Sequence, residues 1–324
     1  MDRRHFISHL GRNTAASGIV ATAAPKAAGA SAEREASAAP LPTIALGSHQ
    51  VTRLVVGANP LSGYSYLGPH TDRHMKEYFT VERSVDFLLA CERAGINTHQ
   101  FSYSTENQAP EILSKVRDRG SKMKFFCLAR TPDEIRAVKT AARPIAVVHH
   151  GGVTDRRFAE GKSQLVHDFV KAAHDHGLLA GVSAHNPDCI QKVADDGWDV
   201  DFFMTCFYFL TRKTFHKPGE PKQEPETLYL TYPFYRRDPE IMTRVVRQVD
   251  KPCLGFKILA AGRKCSNPSV VRDAFRFAFS NIKPTDGVIV GMYPRFFDEI
   301  TANAEYTREY GDPSRQPEAQ TAKS

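Results

Sequence analysis

Polar and ionisable side chains lie where several short apolar segments of this sequence end. Histidine is the most informative type, because imidazole exchanges protons near neutral pH and also binds divalent metals. His149 ends an otherwise apolar segment, and His99 and His185 belong to the ends of two others. Arg130 and Lys257 are placed in the same way and supply positive charge. This combination predicts proton transfer beside cations that stabilise a polarised carbonyl oxygen or an enolate.

Eight short segments rich in β-forming residues would have to position these side chains. Most of them are apolar at nearly every position, which is typical of parallel strands covered on both faces. They span residues 53–57, 96–101, 124–128, 145–149, 178–183, 200–204, 252–257 and 287–291. Helical patterns separate them, and several begin with a capping residue followed by proline, as at Thr131-Pro132 and Asn267-Pro268.

This alternation predicts an α/β chain that folds as a (β/α)8 TIM barrel over residues 41–312. An open doubly wound sheet is the alternative, and it is the weaker one because no GxGxxG motif follows the first segment. In a barrel, the strand ends and the loops that follow them form the site. The candidates at these positions are Asn59, His99, Gln100, Tyr103, Arg130, His149, His150, Ser183, His185, Tyr208, Lys257 and Tyr293.

The longest stretch without a helix or strand pattern covers residues 211–237. It is rich in Lys, Pro and Glu, and Tyr229, Tyr232 and Tyr235 lie near its end. A loop of this length is typical of a functional lid or of a solvent-exposed loop without a function, and the sequence favours neither. As a lid, its aromatic end would suit a sugar-like or other flat ligand.

Composition excludes several classes of partner. The chain has 324 residues, a formal net charge of +7 and scattered basic residues, so we expect no nucleic acid as a partner. It has no run of about 18 apolar residues, so we expect no membrane span. Cys91, Cys127, Cys206 and Cys253 lie in apolar patterns without a CxxC motif, and we expect them to be buried thiols.

The first forty residues differ from the rest. Arg3 and Arg4 are followed by the large apolar Phe6, then by an Ala-rich stretch and small-residue cleavage candidates at 30–32. This pattern resembles a twin-arginine export signal. It predicts a signal peptide and disordered linker over residues 1–40, the twin-arginine translocase as partner, and a periplasmic or extracellular location. The alternative is a disordered Ala/Ser tail with a chance Arg pair. We also expect residues 313–324 to be a disordered tail.

Ordered short motifs carry a family resemblance. They include Gly95-Ile96-Asn97, Gly181-Val182-Ser183, the run FKILAAG at 256–262, and VIVGM at 288–292 with DEITAN at 298–303 behind it. From about residue 43 to 307, their order and spacing resemble those of the aldo/keto reductase superfamily. The resemblance implies a TIM barrel, a small carbonyl or sugar-type substrate and NADP as cofactor.

The resemblance also implies a catalytic tetrad of Asp, Tyr, Lys and His. Gln100 stands at the Asp position, and Thr105 stands at the Tyr position with Tyr103 two residues away. Arg130 stands at the Lys position and His149 at the His position. Because His alone is retained, the resemblance implies altered proton-transfer machinery. The catalytic candidates are His149, Arg130, Tyr103, Gln100 and His99.

A second set of residues is implied to bind the cofactor. Ser183 stands where the superfamily holds the nicotinamide amide, and Phe207 where it stacks the ring. Lys257 and Asn303 stand near the phosphates and the adenine, and Arg295 could add a guanidinium to this anion site. Since an exported enzyme meets no NADPH pool, the resemblance implies that NADP would be carried out tightly bound.

Three functions remain open. The first is an NADP-dependent oxidoreductase with Tyr103 or His149 as acid or base. The second is a non-redox lyase, hydratase or epimerase acting on a sugar or keto-sugar. It would use His149 and His99 for proton transfer, and Arg130 or Lys257 to stabilise an enolate. The third is a ligand-binding barrel without catalysis.

A divalent metal is a variant of the second function. Imidazoles on nearby strand ends can converge, so some of His99, His149 and His185 could hold it. No compact ligand spacing supports this variant, so the sequence assigns no metal ligands.

Overall fold

The chain folds into a closed barrel of eight parallel strands surrounded by helices. The computed structural model describes residues 39–104, 107–212 and 232–315. Within them the barrel strands follow the order β3-β4-β5-β6-β7-β8-β9-β10, and β10 pairs with β3 to close the sheet. The strands are β1 Thr43–Leu46, β2 His49–Thr52, β3 Leu54–Gly57, β4 Thr98–Ser102, β5 Lys124–Ala129, β6 Ala146–His149, β7 Leu179–Ala184, β8 Phe202–Cys206, β9 Cys253–Phe256 and β10 Gly287–Val290.

Helices follow the strands in the alternation that the sequence predicts. They are α1 Pro69–Tyr78, α2 Val81–Arg93, α3 Ala109–Asp118, α4 Pro132–Ala142, α5 Gly151–Ala159, α6 Gln164–Asp175, α7 Pro187–Asp195, α8 Asp238–Gln248, α9 Pro268–Asn281 and α10 Glu299–Tyr310. The predicted α/β class and (β/α)8 TIM barrel are confirmed. Each of the eight predicted segments becomes a barrel strand with ends within about two residues of those expected.

The antiparallel hairpin formed by β1 and β2 was not predicted from the sequence. Gly47 turns the chain between them with a φ of 54°, a conformation that glycine adopts without steric cost. Ile44, Leu46 and Val51 pack in one cluster with side chains from inside the barrel, such as Phe126. The hairpin therefore covers the end of the barrel at which the strands begin.

Side chains along each barrel strand alternate between two hydrophobic layers. Val55, Phe126, Val148 and Leu254 belong to the cluster inside the barrel. Their chain neighbours, Val147 among them, belong to the layer between the strands and the helices. A strand residue therefore faces the barrel interior or the helices according to its place in a repeat of two.

The cysteines agree with the sequence prediction. Cys91, Cys127, Cys206 and Cys253 are buried thiols without a disulfide bond, while Cys265 is exposed. In the part of the chain that the structure describes, no helix is long and apolar enough to cross a membrane. The predicted signal peptide, and all of the predicted tail beyond a short 3-10 turn at Pro313–Arg315, lie outside the described residues.

A buried arginine supports the strand pair that closes the barrel. Arg53 immediately precedes β3, and its guanidinium donates to the carbonyls of Asp286 at 2.6 Å, Gly311 at 2.6 Å and Lys283 at 2.9 Å. Burial lowers its pKa to about 10, so it stays charged at neutral pH. One side chain thus joins the start of β3 to the turn before β10 and to the end of α10.

Replacing this arginine tests its contribution to stability. We expect Arg53→Met to lower the free energy of unfolding by about 3 kcal/mol or more, because three carbonyls lose a charged donor. Urea unfolding followed by circular dichroism measures the change. Arg272→Met is the matched control, since Arg272 pairs with Glu309 at the surface, where solvent screens the pair, and its loss should cost much less. Equal losses in the two variants would contradict this role.

Candidate active site

The two histidines at the end of β6 face opposite sides of the barrel wall. The His149 ring packs 5.0 Å from the Phe169 ring of α6, and its Nδ1 lies 2.7 Å from Thr154 Oγ1 of α5. Burial is the main cause that lowers the His149 pKa to about 4. The predicted catalytic histidine therefore faces the helices. His150 follows it, and the charges of Arg130 and Lys257 act on its imidazole. His150 thus lies at the barrel mouth, the end of the barrel at which the parallel strands end. This is the place that was expected for His149.

The side chain of His99 on β4 also faces the helices and not the barrel interior. It pairs in register with Phe125, whose side chain is in the outer layer, and its Nδ1 lies 3.0 Å from the carbonyl of Val56. Burial lowers its pKa to about 4. The structure therefore does not bring His99, His149 and His185 together, which a metal-dependent form of the second function would need. No group of three or more His, Cys, Asp or Glu in the described ranges could hold a metal ion.

A histidine–aspartate pair lies at the barrel mouth. His185 Nδ1 is 2.9 Å from Asp155 Oδ2, and the carboxylate also accepts from the backbone N–H of His185 and of Asn186, both at 3.1 Å. The Thr211 hydroxyl donates to it at 2.8 Å. The carboxylate requires the His185 proton on Nδ1, which leaves Nε2 as an acceptor towards a ligand. Burial lowers the His185 pKa, and Asp155 opposes this change. His185 is thus an oriented, neutral base.

Lys257 follows β9 and points its ammonium at two aromatic rings. Its Nζ lies 4.6 Å from the Phe256 ring centre and 4.9 Å from that of Tyr66. Lys257 and Tyr66 both have a φ of 59°, a left-handed conformation that is uncommon outside glycine. Burial lowers the Lys257 pKa, although Cys206 and Asp155 oppose this. A half-buried amine with a lowered pKa thus lies at the mouth.

The short connection from β6 into α5 approaches these groups closely, because the first residue of α5 is Gly151. A Cβ atom at this position would lie 2.9 Å from Ser183 Oγ and 3.2 Å from His185 Cε1. Across the loop, Arg130 adds an exposed guanidinium whose charge acts on His150. The positive charges of Arg130 and Lys257 face a single negative one. Among the described residues, Asp155 is the one carboxylate that is hydrogen-bonded to a mouth histidine. This balance suits an oxygen atom that gains negative charge.

A cavity of about 250 Å³ adjoins the histidine–aspartate pair. It lies between the ends of β7 and β8, where His185 and Cys206 form part of its wall. Phe209 and Met242 contribute apolar surface, and Arg212 contributes a guanidinium paired with the buried Asp238 at 2.7 Å. The volume and lining suit a small polar molecule with some apolar surface.

The other predicted catalytic residues are divided between two places. Gln100 pairs in register with the interior residue Phe126, and its Nε2 donates to the carbonyl of Phe101 at 3.0 Å. Tyr103 instead lines a shallow pocket with Asp133 and other residues of α4, away from the pair at the mouth. Thr105, at the superfamily's Tyr position, lies outside the described residues.

The five predicted cofactor residues do not form one group. Ser183 and Lys257 lie at the mouth. Phe207 lies in the outer layer, where its ring would be 2.6 Å from a Cβ at Gly255 and is 6.4 Å from the ring of Phe277. Arg295 is exposed, with its guanidinium 5.5 Å from the Phe296 ring, and Asn303 is buried on α10. The ring expected to stack on a nicotinamide is therefore turned away from the interior.

His150, His185 and Lys257 were absent from the predicted catalytic set, and Asp155 and Tyr66 were absent from the candidates altogether. His150 was a strand-end candidate, and the period-two pattern of β6 could have selected it over His149. Asp155 comes six residues after the strand, on α5, and no local signal joins it to His185. Tyr66 belongs to the loop before α1, and its left-handed backbone cannot be read from the sequence.

Solved structures share this fold at low sequence identity. Two structures assigned to the aldo-keto reductases of Pseudomonas aeruginosa superpose with TM-scores of 0.51 and 0.53, each at 16% identity. The first alignment covers 82% of this chain and 94% of that one, and the second covers 83% and 95%. No protein-family model and no curated protein matches this sequence. The comparisons therefore establish the barrel fold.

Acid lowers stability through the buried histidines. The pKa values of His99 and His149 fall from 6.5 to about 4 in the folded protein, so between these values the unfolded chain binds more protons. We expect the free energy of unfolding to decrease as pH falls from about 6.5 to about 4, by roughly 1.4 kcal/mol per pH unit for each histidine. Urea unfolding across this range measures the slope. His149→Gln should reduce this slope by the contribution of one histidine, roughly 1.4 kcal/mol per pH unit. An unchanged slope would contradict the lowered pKa of His149.

Proposed function

We propose that this chain is an enzyme of aldo/keto-reductase-like build that acts on the carbonyl group of a small, sugar-type molecule at the barrel mouth. The observation that carries the proposal is the His185–Asp155 pair, with a 2.9 Å hydrogen bond, beside Lys257, His150 and Arg130. A structural histidine would not need an oriented free nitrogen near several cations. This arrangement favours proton transfer next to a carbonyl, as in a lyase, hydratase or epimerase.

In this proposal each residue has a separate task. Asp155 holds the Nδ1 proton of His185, so Nε2 takes a proton from the carbon next to the substrate carbonyl. Lys257 and Arg130 stabilise the negative charge that develops on the carbonyl oxygen. His150 exchanges a proton with the opposite side of the ligand. The cavity beside His185 and Cys206 receives the rest of the molecule.

NADP fits this mouth poorly. Ser183 is placed to contact a nicotinamide amide, but the Phe207 ring lies outside the barrel wall against Gly255 and Phe277. Ala184 and Met204 also stand where the family resemblance implies two polar contacts to the nicotinamide amide. The proposed reaction therefore includes no hydride transfer.

An NADP-dependent oxidoreductase is the second candidate. It is supported by the fold likeness to the two Pseudomonas aeruginosa structures assigned to the aldo-keto reductases. The cations near His150 would also suit a carbonyl that becomes an alkoxide. The two candidates share a substrate class and differ in whether a dinucleotide is carried.

Adjacent histidines provide a matched test of the proposed site. We expect His150→Gln and His185→Gln to lower kcat about a hundredfold or more, measured on a substrate found by screening sugars and small carbonyl compounds. His149→Gln should lower stability and leave kcat within about threefold, because its ring faces α6. Turnover that depends on His149 and not on His150 would overturn this assignment.

We also propose that the first forty residues export the folded protein through the twin-arginine translocase. The full chain should appear in the periplasmic fraction, and replacing Arg3 and Arg4 by Lys should retain it in the cytoplasm. Native mass spectrometry of the exported protein should show no dinucleotide. A stoichiometric mass increment matching NADP would favour the oxidoreductase over the proton-transfer enzyme.

A further inference from the structure

We propose that Lys257 is a nucleophile that forms a covalent Schiff base with the carbonyl carbon of the substrate. This inference rests on the proposed function and deepens it, since the same site would bind the carbonyl compound covalently and not only as a polarised oxygen. The substrate class becomes a small ketone or aldehyde with a hydrogen on the adjacent carbon.

The immediate surroundings of Lys257 differ from those of the ion-paired lysines among the described residues. Lys115, Lys192 and Lys283 each have a carboxylate oxygen within about 3 Å of Nζ. In the described part of the chain, no carboxylate lies within 4.0 Å of Lys257 Nζ, which instead lies near the ring faces of Phe256 and Tyr66. Aromatic rings stabilise an ammonium less than an ion pair does, and burial lowers the pKa further. A larger neutral fraction makes the amine a better nucleophile.

The backbone holds Lys257 in this place at a cost. Lys257, Ala260 and Ala261 have φ values of 59°, 50° and 49°, and Tyr66, which contacts the ammonium, has a φ of 59°. Left-handed non-glycine residues are typical of places where the surrounding structure imposes a conformation, and they cluster at functional sites. Two such residues from separate loops meet at the Lys257 ammonium.

The neighbouring groups suit the steps of imine formation. Neutral Lys257 adds to the carbonyl carbon, and the amine proton passes to the new hydroxyl through His150 or His185. This hydroxyl leaves as water with one further proton, which His150 relays from solvent, and a protonated imine remains. His185 then takes the proton from the adjacent carbon, and the electron pair of that C–H bond forms an enamine. A histidine returns a proton to this carbon, which restores the protonated imine. Hydrolysis then reverses the first steps and frees the lysine, so no oxidant or reductant is needed.

Cys206, the other nucleophile near Lys257, is not expected to compete with it. Burial raises the pKa of its thiol to about 11, although the charge of Lys257 acts in the opposite direction. The thiol therefore stays protonated at neutral pH and reacts slowly with carbonyl compounds. It forms part of the wall of the cavity that also borders His185.

Reductive trapping tests the proposal on the full chain. The protein is incubated at pH 7 with dihydroxyacetone and sodium cyanoborohydride, which reduces an imine to a stable secondary amine. Peptide mass spectrometry then reports the labelled fraction of each lysine. We expect Lys257 to be labelled about tenfold or more above the exposed Lys251, because burial lowers the Lys257 pKa and enlarges its neutral fraction. Lys251 labelled while Lys257 remains unmodified would overturn the proposal.

Lys257→Arg supplies the second measurement, because guanidinium keeps the positive charge but forms no imine. We expect kcat to fall about a thousandfold or more, with thermal unfolding close to that of the unchanged protein. A variant that keeps more than about a tenth of the turnover would show that Lys257 acts by its charge alone, and would overturn the inference.

The two proposals fail in different ways. Loss of turnover in His185→Gln with no label on Lys257 would leave the proton-transfer enzyme standing and remove the Schiff base. Label on Lys257 with unchanged turnover in both His150→Gln and His185→Gln would support the nucleophile and remove the assigned acid–base residues.

Discussion

Closure of the eight-stranded sheet is the constraint on which the rest of this structure depends. Once β10 pairs with β3, every strand has one face inside the barrel and one towards the helices. Arg53 supports this closure through carbonyls near the start of β10 and at the end of α10. The alternation then decides which polar side chains meet at the mouth. His150 and Lys257 meet there because of the strands that precede them, and His99 and His149 are excluded for the same reason.

Much of the scaffold could be predicted from the sequence. Continuous apolar runs and proline after a capping residue locate the strands and helices, because burial on both faces and helix initiation leave local signals. Around His149 the same information was insufficient, since adjacent histidines at a strand end differ only in the side that they face. A shift of one residue in the register exchanges the two roles. The resemblance to the aldo/keto reductases also implied the barrel. The histidine position that it implied, His149, comes one residue before the histidine that lies at the mouth.

The remaining features depend on tertiary contacts. Asp155 becomes part of the site only when the start of α5 packs against the end of β7, and its partner His185 is thirty residues away along the chain. Tyr66 meets Lys257 across a still larger separation. The β1–β2 hairpin is short and alternating, and its role follows from the interior side chains that it covers. Composition and periodicity do not record such distant pairings.

The hairpin has a kinetic consequence. Because it packs against Phe126 and Met204, the hairpin closes the interior at the end where the barrel strands begin. A ligand must arrive and depart through the same opening, and any water released inside must leave past it. In the proposed enzyme, inhibitors that occupy this opening would therefore compete directly with substrate, and product would need to dissociate before the next molecule enters.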